Sequence, residues 1–324
     1  MKKWKQALAL VLALVMALSL VALPSFAEGE ETGGGTAATQ PVWPAEGSIN
    51  LIKDAQPVED EDGVYEITLT IQGKNYKTTS DVVLVIDCSG SMEGSKLTNT
   101  RAAAKAFGEK LLTEGSTTRI AIVTYADTAA KYNDGHFYTA SELNAFENAI
   151  DVATYANGGT NQQAGIHAAQ ELLSSDASTG KLKNMVILSD GAPTYSYRLT
   201  GTATGTCTKF IVWNHNSDYE ENTLAITGCD YTRVGDGYAD NQTGEPSYGN
   251  DGQARLTLTC SHGKTKQTDV DIEHSVATIW EANQAKAAGT TIFSVALQAG
   301  TYGENTLKGC ATDPHCRLLC HCPE

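Results

Sequence analysis

Asp87, Ser89 and Ser91 stand at alternate positions in "VVLVIDCSGSM", residues 82–92, where an acid and two hydroxyls follow directly on an apolar run. Val82 to Ile86 has no polar break and is rich in β-branched residues, the pattern of a strand buried on both faces of a parallel sheet. Asp87 falls where that strand leaves the core, and a backbone turning through Cys88 and Gly90 can aim both hydroxyls near its carboxylate. Hard oxygen donors grouped in this way suit a hard divalent cation, and open α/β sheets place their sites at the carboxyl ends of strands. Two other segments carry related chemistry: "ANGGTN" sets Thr160 in a loop before a helix, and "NMVILSDGAP" ends a second apolar strand in Asp190.

The elements that must position these five residues alternate from Asp81 onward. A helix is predicted around 96–112 with Leu97, Ala104, Phe107, Leu111 and Leu112 on one side, then a strand at 119–126 and a polar excursion at 127–140. "SELNAFENAI" reads as a helix capped by Ser141 that buries Leu143, Phe146 and Ile150. "QQAGIHAAQELL" is a further helix, and residues 271–297 give a helix with Val276, Ile279, Trp280 and Ala287 inward, followed by the strand "TIFSVAL". This alternation predicts an α/β fold, a doubly wound and mostly parallel sheet with helices on both faces. In such a sheet the loops of Asp87, Thr160 and Asp190 can open on one edge.

Two stretches stand apart. "VYEITLTIQGK", residues 64–74, alternates Tyr65, Ile67, Leu69 and Ile71 as a half-buried strand does, and is expected to flank the central sheet within a β segment at 47–80. Residues 195–270 break the alternation with "CTKFIVW", "TLAITGC" and "ARLTLTC" among turn residues, which predicts a β-rich insertion projecting after the "DGAP" strand. Recognition and passive decoration are both open roles for it.

Residues 1–27 have a basic start, an apolar run through Leu23 and small residues at 25 and 27, the layout of a secretory signal peptide. An uncleaved membrane anchor is the competing reading. Without this segment the formal charge moves from −15 to −18, since it holds three lysines and no acid. So acidic a chain argues against nucleic acid as a partner. Residues 28–46 are rich in Gly, Thr, Pro and Glu and read as a flexible linker. Eight cysteines in an exported chain allow disulfides, and two of Cys207, Cys229 and Cys260 are expected to be bridged.

The three segments "IDCSGSM", "GGTNQQAGI" and "VILSDGAP" resemble, in order and approximate spacing, those of the von Willebrand factor type A domain. The resemblance spans about residues 80–194 and 272–314. In that family D-x-S-x-S, a downstream Thr and a later Asp form a metal-ion-dependent adhesion site. The resemblance therefore implies Asp87, Ser89, Ser91, Thr160 and Asp190 as the metal site, with Mg²⁺, or Mn²⁺ or Ca²⁺, as the cofactor. The three hydroxyls would ligate directly and the two carboxylates would bind directly or through water. Neutral ligands leave the ion's charge poorly compensated, so it would seek a Glu or Asp carboxylate from a protein ligand. The implied protein is a secreted or cell-surface bacterial adhesion module, similar to domains at the tips of pili in Gram-positive bacteria. A rival of another class is a structural or assembly unit in which the metal only stabilises the loops.

Bland readings exist for each residue: the two acids and Thr160 as helix caps, the two serines as turn residues. No catalytic residues are assigned and no enzyme is expected, because Cys88 lacks His and acid partners at recognised spacing; packing or a disulfide is its expected role. The tail "LKGCATDPHCRLLCHCPE" departs from the family, with no room for the short strand and covering helix that normally follow, and residues 315–324 read as truncated or frame-shifted.

Overall fold

The computed structural model describes residues 49–57, 65–73, 79–205, 223–237, 252–260, 263–312 and 317–320. The expected signal peptide and linker, and the run "CTKFIVW", lie outside the described residues. Two units form along the chain, with a boundary at Thr79 and Ser80.

The smaller unit contains an antiparallel hairpin of β1 (Ile49–Pro57) and β2 (Tyr65–Gly73). The strand expected at 64–74 thus forms, pairs with a partner that sequence reading left unassigned, and is not part of the central sheet.

In the larger unit the chain runs β3 (Ser80–Asp87), α1 (Ser95–Leu111), β4 (Thr118–Tyr125), β5 (Ala129–Lys131), α2 (Leu143–Ala153), α3 (Gln162–Leu173) and β6 (Leu182–Ser189). It continues through β7 (Tyr195–Thr204), β8 (Ala225–Gly235), β9 (Gly252–Thr259), β10 (Thr265–Ile272), α4 (His274–Ala287), β11 (Thr290–Leu297), α5 (Thr301–Cys310) and β12 (Arg317–Cys320). Six strands build the central sheet in the order β12-β11-β6-β3-β4-β5, parallel throughout except for β5 at the edge. The fold is the doubly wound α/β arrangement with extra strands. Among the described residues no helix is long and apolar enough to cross a membrane.

β3 is the middle of this sheet, and its unbroken apolar run serves two cores at once. Val82, Leu84 and Ile86 pack with Phe107 of α1 and Phe146 of α2, while Val83 and Val85 pack with Ile166 of α3 and Ala282 of α4. Each such side chain contributes on the order of 1.5–3 kcal/mol by leaving water. The chain goes from β3 to β4 on one side and reaches β6 and β11 on the other, so the strand order reverses between β3 and β6. That switch point opens a crevice at the carboxyl ends of β3 and β6, where Asp87 and Asp190 stand.

Several local expectations are corrected. Thr139, not Ser141, starts the region of α2: its hydroxyl and the Glu142 side chain form a reciprocal capping box across a short 3₁₀ turn. In α4, Val276 is 43% exposed and Ala287 is exposed, while Ala277, Glu281, Ala282 and Ala285 face inward. The reason is that α4 covers two sheets, and a stripe of alanines lets it approach both closely. The tail does form a short strand, since Arg317–Cys320 runs parallel to β11.

The insertion is a four-stranded sheet of order β10-β9-β7-β8. It does not project free of the domain as expected. Ala254, Leu256 and Leu258 alternate inward along β9 and pack with Leu199, Ala277 and Trp280, so α4 serves as its floor. Cys229 is a free thiol, which excludes the bridges expected through it; Cys207 lies outside the described residues.

Candidate metal centre

Asp87 is fully buried at the end of β3. Its Oδ1 accepts the Ser89 backbone N–H at 2.8 Å, which bends the chain into the 3₁₀ turn Gly90–Met92. Its Oδ2 accepts the Ser189 hydroxyl at 2.6 Å and the Tyr125 hydroxyl at 3.2 Å. Met92, also fully buried, anchors the turn from below.

Ser89 and Ser91 project from that turn with their Oγ atoms 3.0 Å apart, and Ser91 donates to Asp190 Oδ1 at 2.9 Å. Ser91 has one hydroxyl proton and gives it to Asp190, so Ser89 donates to Ser91. The outcome is a short relay from Ser89 through Ser91 to Asp190. The other oxygen of Asp190 is ion-paired with Lys96 in the first turn of α1.

Thr160 arrives on a separate loop that backbone hydrogen bonds tie to the first. Asn157 N–H donates to Cys88 O at 2.8 Å, and Gly90 N–H donates to Gly158 O at 2.9 Å. Gly158 has φ of +78°, a conformation that favours glycine. Thr160 does not cap α3: Asn161 does, its Oδ1 accepting Ala164 N–H at 3.1 Å. The Thr160 hydroxyl finds no hydrogen-bond partner among the described residues, while its backbone is held by Thr194 on both sides, at 2.9 Å each.

All five expected residues therefore meet at one edge. A Cβ built on Gly191 would lie 3.7 Å from Ser91 Oγ and 4.0 Å from Thr160 Oγ1, so both hydroxyls border the space that this glycine leaves open. The donors are all hard oxygens; Asp190 is ion-paired with Lys96, while Asp87, equally buried, has no ion-pair partner among the described residues. Such a set fits a divalent cation of the magnesium class. Ser91 and Thr160 border this space, Ser89 and Asp190 are hydrogen-bonded to Ser91, and Asp87 has its oxygens committed to Ser89, Ser189 and Tyr125.

Burial and the neighbouring Asp190 charge push the Asp87 carboxyl up to about 6, and the hydrogen bonds from Ser189 and Ser89 oppose that rise. Cys88 is buried and free, and burial pushes its thiol up to about 11. It is protonated and inert at neutral pH, so packing is its role. The histidines among the described residues are occupied elsewhere: His136 pairs with Glu142, His167 with Glu281, and His274 bonds Ser196.

Sequence reading missed Lys96, Ser189, Tyr125, Asp127 and Thr194. Ser189 was the most accessible of these, since it is the polar residue that closes the apolar run before Asp190. Asp127 accepts Gly159 N–H at 2.5 Å and fixes the Thr160 loop from below. The insertion presses on the same loop. A Cβ on Gly159 would come within 2.8 Å of Gly237 Cα and of the Tyr195 ring, and Arg233 stacks over Tyr195 while donating to Asp127 O at 3.4 Å.

The model for the von Willebrand factor type A domain family matches residues 81–228. The minor fimbrium subunit Mfa5 of Porphyromonas gingivalis is 29% identical over 174 residues, which cover 52% of this chain and 14% of Mfa5. Among solved structures, the pilus adhesin SpaC of Lactobacillus rhamnosus GG in its open conformation aligns with a TM-score of 0.55 and 20% identity, over 87% of this chain and 33% of SpaC. Three N-terminal domains of the Mfa5 tip protein align with a TM-score of 0.50 and 20% identity, over 86% of this chain and 54% of theirs. These structural likenesses concern the fold. The chain spans about a seventh of the fimbrium subunit and a third of the SpaC chain it matches.

Proposed function

From a chain that carries a von Willebrand factor type A domain and is similar to pilus-tip proteins, we propose a surface-displayed adhesion module that binds a protein ligand through a divalent cation. Ser89, Ser91, Thr160 and Asp190 hold the ion, and Asp87 orients the Ser89 turn beneath it. Once bound, the metal supplies a positive centre able to take a Glu or Asp carboxylate from the partner. Mg²⁺ is the first candidate, with Mn²⁺ and Ca²⁺ as alternatives. The observation that carries this reading is the convergence of Ser91 Oγ and Thr160 Oγ1, 69 residues apart in sequence, on the space beside Gly191.

The rival in which metal merely stiffens loops gains less support. Those loops are already joined by four backbone hydrogen bonds, from Asn157 to Cys88, Gly90 to Gly158, Thr194 to Thr160 and Tyr195 to Thr160. Export and surface display belong to the same proposal, and no catalytic role is proposed.

Calorimetric titration of Mg²⁺ and Mn²⁺ into the metal-stripped chain tests the reading, beside a folded variant carrying Asp87→Ala and Ser89→Ala. Saturable uptake that the variant lacks is the expected result. An ion-independent chain whose fold is intact would remove the mechanism.

A further inference from the structure

Lys96 is the one residue of the site that sequence and fold leave unexplained. It occupies the first turn of α1, where the aligned peptide dipoles present positive charge and favour acidic side chains over basic ones. No acid stands in that turn, and the preceding Gly94 offers no side-chain cap. A lysine is therefore placed against the preference of its own helix. What it gains there is Asp190, whose side chain is fully buried while that of Lys96 is 28% exposed.

We propose that Lys96 is a tethered cation that neutralises Asp190 in the metal-free protein, so that a divalent ion enters by displacing its ammonium group. This rests on the metal reading given above. The chemistry suits exchange. An ammonium is a compact, strongly hydrated point charge on a flexible stem, and it lacks the planar fork that would clamp both carboxylate oxygens. A divalent ion among Ser89, Ser91 and Thr160 would stand close to the Asp190 carboxylate that Lys96 holds, and two cations at that range repel strongly where water is scarce. The partial exposure of Lys96 gives its head group a route into solvent. The relay from Ser89 through Ser91 ends on the same carboxylate, so departure of the lysine and reorientation of both hydroxyls toward the ion are one rearrangement. Asp190 thus keeps a cationic partner in both states, and metal uptake swaps the partner instead of adding one.

Two measurements on the full chain test this. Mg²⁺ is titrated by calorimetry into metal-stripped wild type, Lys96→Met and Lys96→Arg, each checked for folding by circular dichroism. Lysine reactivity in the wild type is followed by mass spectrometry during brief treatment with an amine-acetylating reagent, with and without Mg²⁺, using Lys105 and Lys131 as internal references. The expected results are binding roughly 3- to 30-fold tighter in Lys96→Met, no tightening in Lys96→Arg, and faster acetylation of Lys96 alone when Mg²⁺ is present. Uptake by Lys96→Met with none by wild type also supports the exchange, with the lysine as the stronger competitor. Equal or weaker binding in Lys96→Met, with Lys96 labelling unchanged by Mg²⁺, overturns the exchange and leaves the metal site standing. No uptake by any of the three overturns both.

Discussion

The Ser189 hydroxyl donates to Asp87 Oδ2 at 2.6 Å and joins the end of β6 to the end of β3 beneath the hydroxyl cluster. This bond keeps Asp87 from rising further than it does, against burial and the charge of Asp190. Even so, the folded metal-free protein holds the Asp87 proton more tightly than an unfolded chain, up to about 6 against an ordinary 3.8. Stability from this group is thus lost as pH rises from about 4 through about 6. Metal-free Asp87→Asn is expected to resist urea better than wild type at neutral pH, with the gap closing toward pH 4. A gap that does not vary with pH would refute the assignment.

Thr160→Val keeps the shape of the side chain and removes an oxygen that has no hydrogen-bond partner among the described residues. Its unfolding free energy without metal should stay within about 0.5 kcal/mol of wild type. Mg²⁺ affinity should drop by about tenfold or more, as loss of one direct oxygen ligand from a six-oxygen shell implies. Lost stability without lost affinity would show that the hydroxyl is structural.

Gln162 is fully buried at the start of α3, and neither its Oε1 nor its Nε2 has a partner among the described residues. An unsatisfied buried amide costs about 1–3 kcal/mol. Gln162→Met has nearly the same volume and no polar atoms, and should raise the thermal midpoint. A lowered midpoint would mean that the amide is hydrogen-bonded in solution.

Gly159→Ala tests the contact between the inserted sheet and the Thr160 loop. The new methyl would meet Gly237 Cα and the Tyr195 ring at 2.8 Å and Thr194 Oγ1 at 2.9 Å, distances that force backbone to move. The expected cost is about 1–3 kcal/mol of stability, accompanied by weaker Mg²⁺ binding in the same calorimetric assay. Unchanged metal affinity at reduced stability would uncouple the insertion from the site.

The apolar runs at 82–86 and 185–188 were legible because a strand buried on both faces admits no polar residue. The loops of Asp87, Thr160 and Asp190 could be brought to one edge from the sequence because each follows a strand or precedes a helix in a doubly wound sheet. The grouping of all five residues as a metal site came instead from the resemblance of three segments to one family. α4 was misread because its helical pattern answers two sheets at once. Alanines at 277, 282 and 285 were chosen for close approach, and a hydrophobicity pattern gives them less weight than Val276 or Trp280. The seating of the insertion was hidden for a related reason: its inward residues on β9 find their floor on a helix that comes later in the chain. Lys96 and Ser189 were hidden because their roles exist only across strands far apart in sequence.

The inserted sheet leaves and rejoins the domain through a closed stem, since Ser196, just inside its first strand, meets His274, just beyond its last, at 2.8 Å. Everything between those two positions is a loop in the topological sense, whatever its length. The stem behaves as a graft junction, and a different β-rich cassette could be spliced there without redrawing the order of the six central strands. Such an exchange needs no change in the part of the chain that carries Asp87, Ser89 and Ser91.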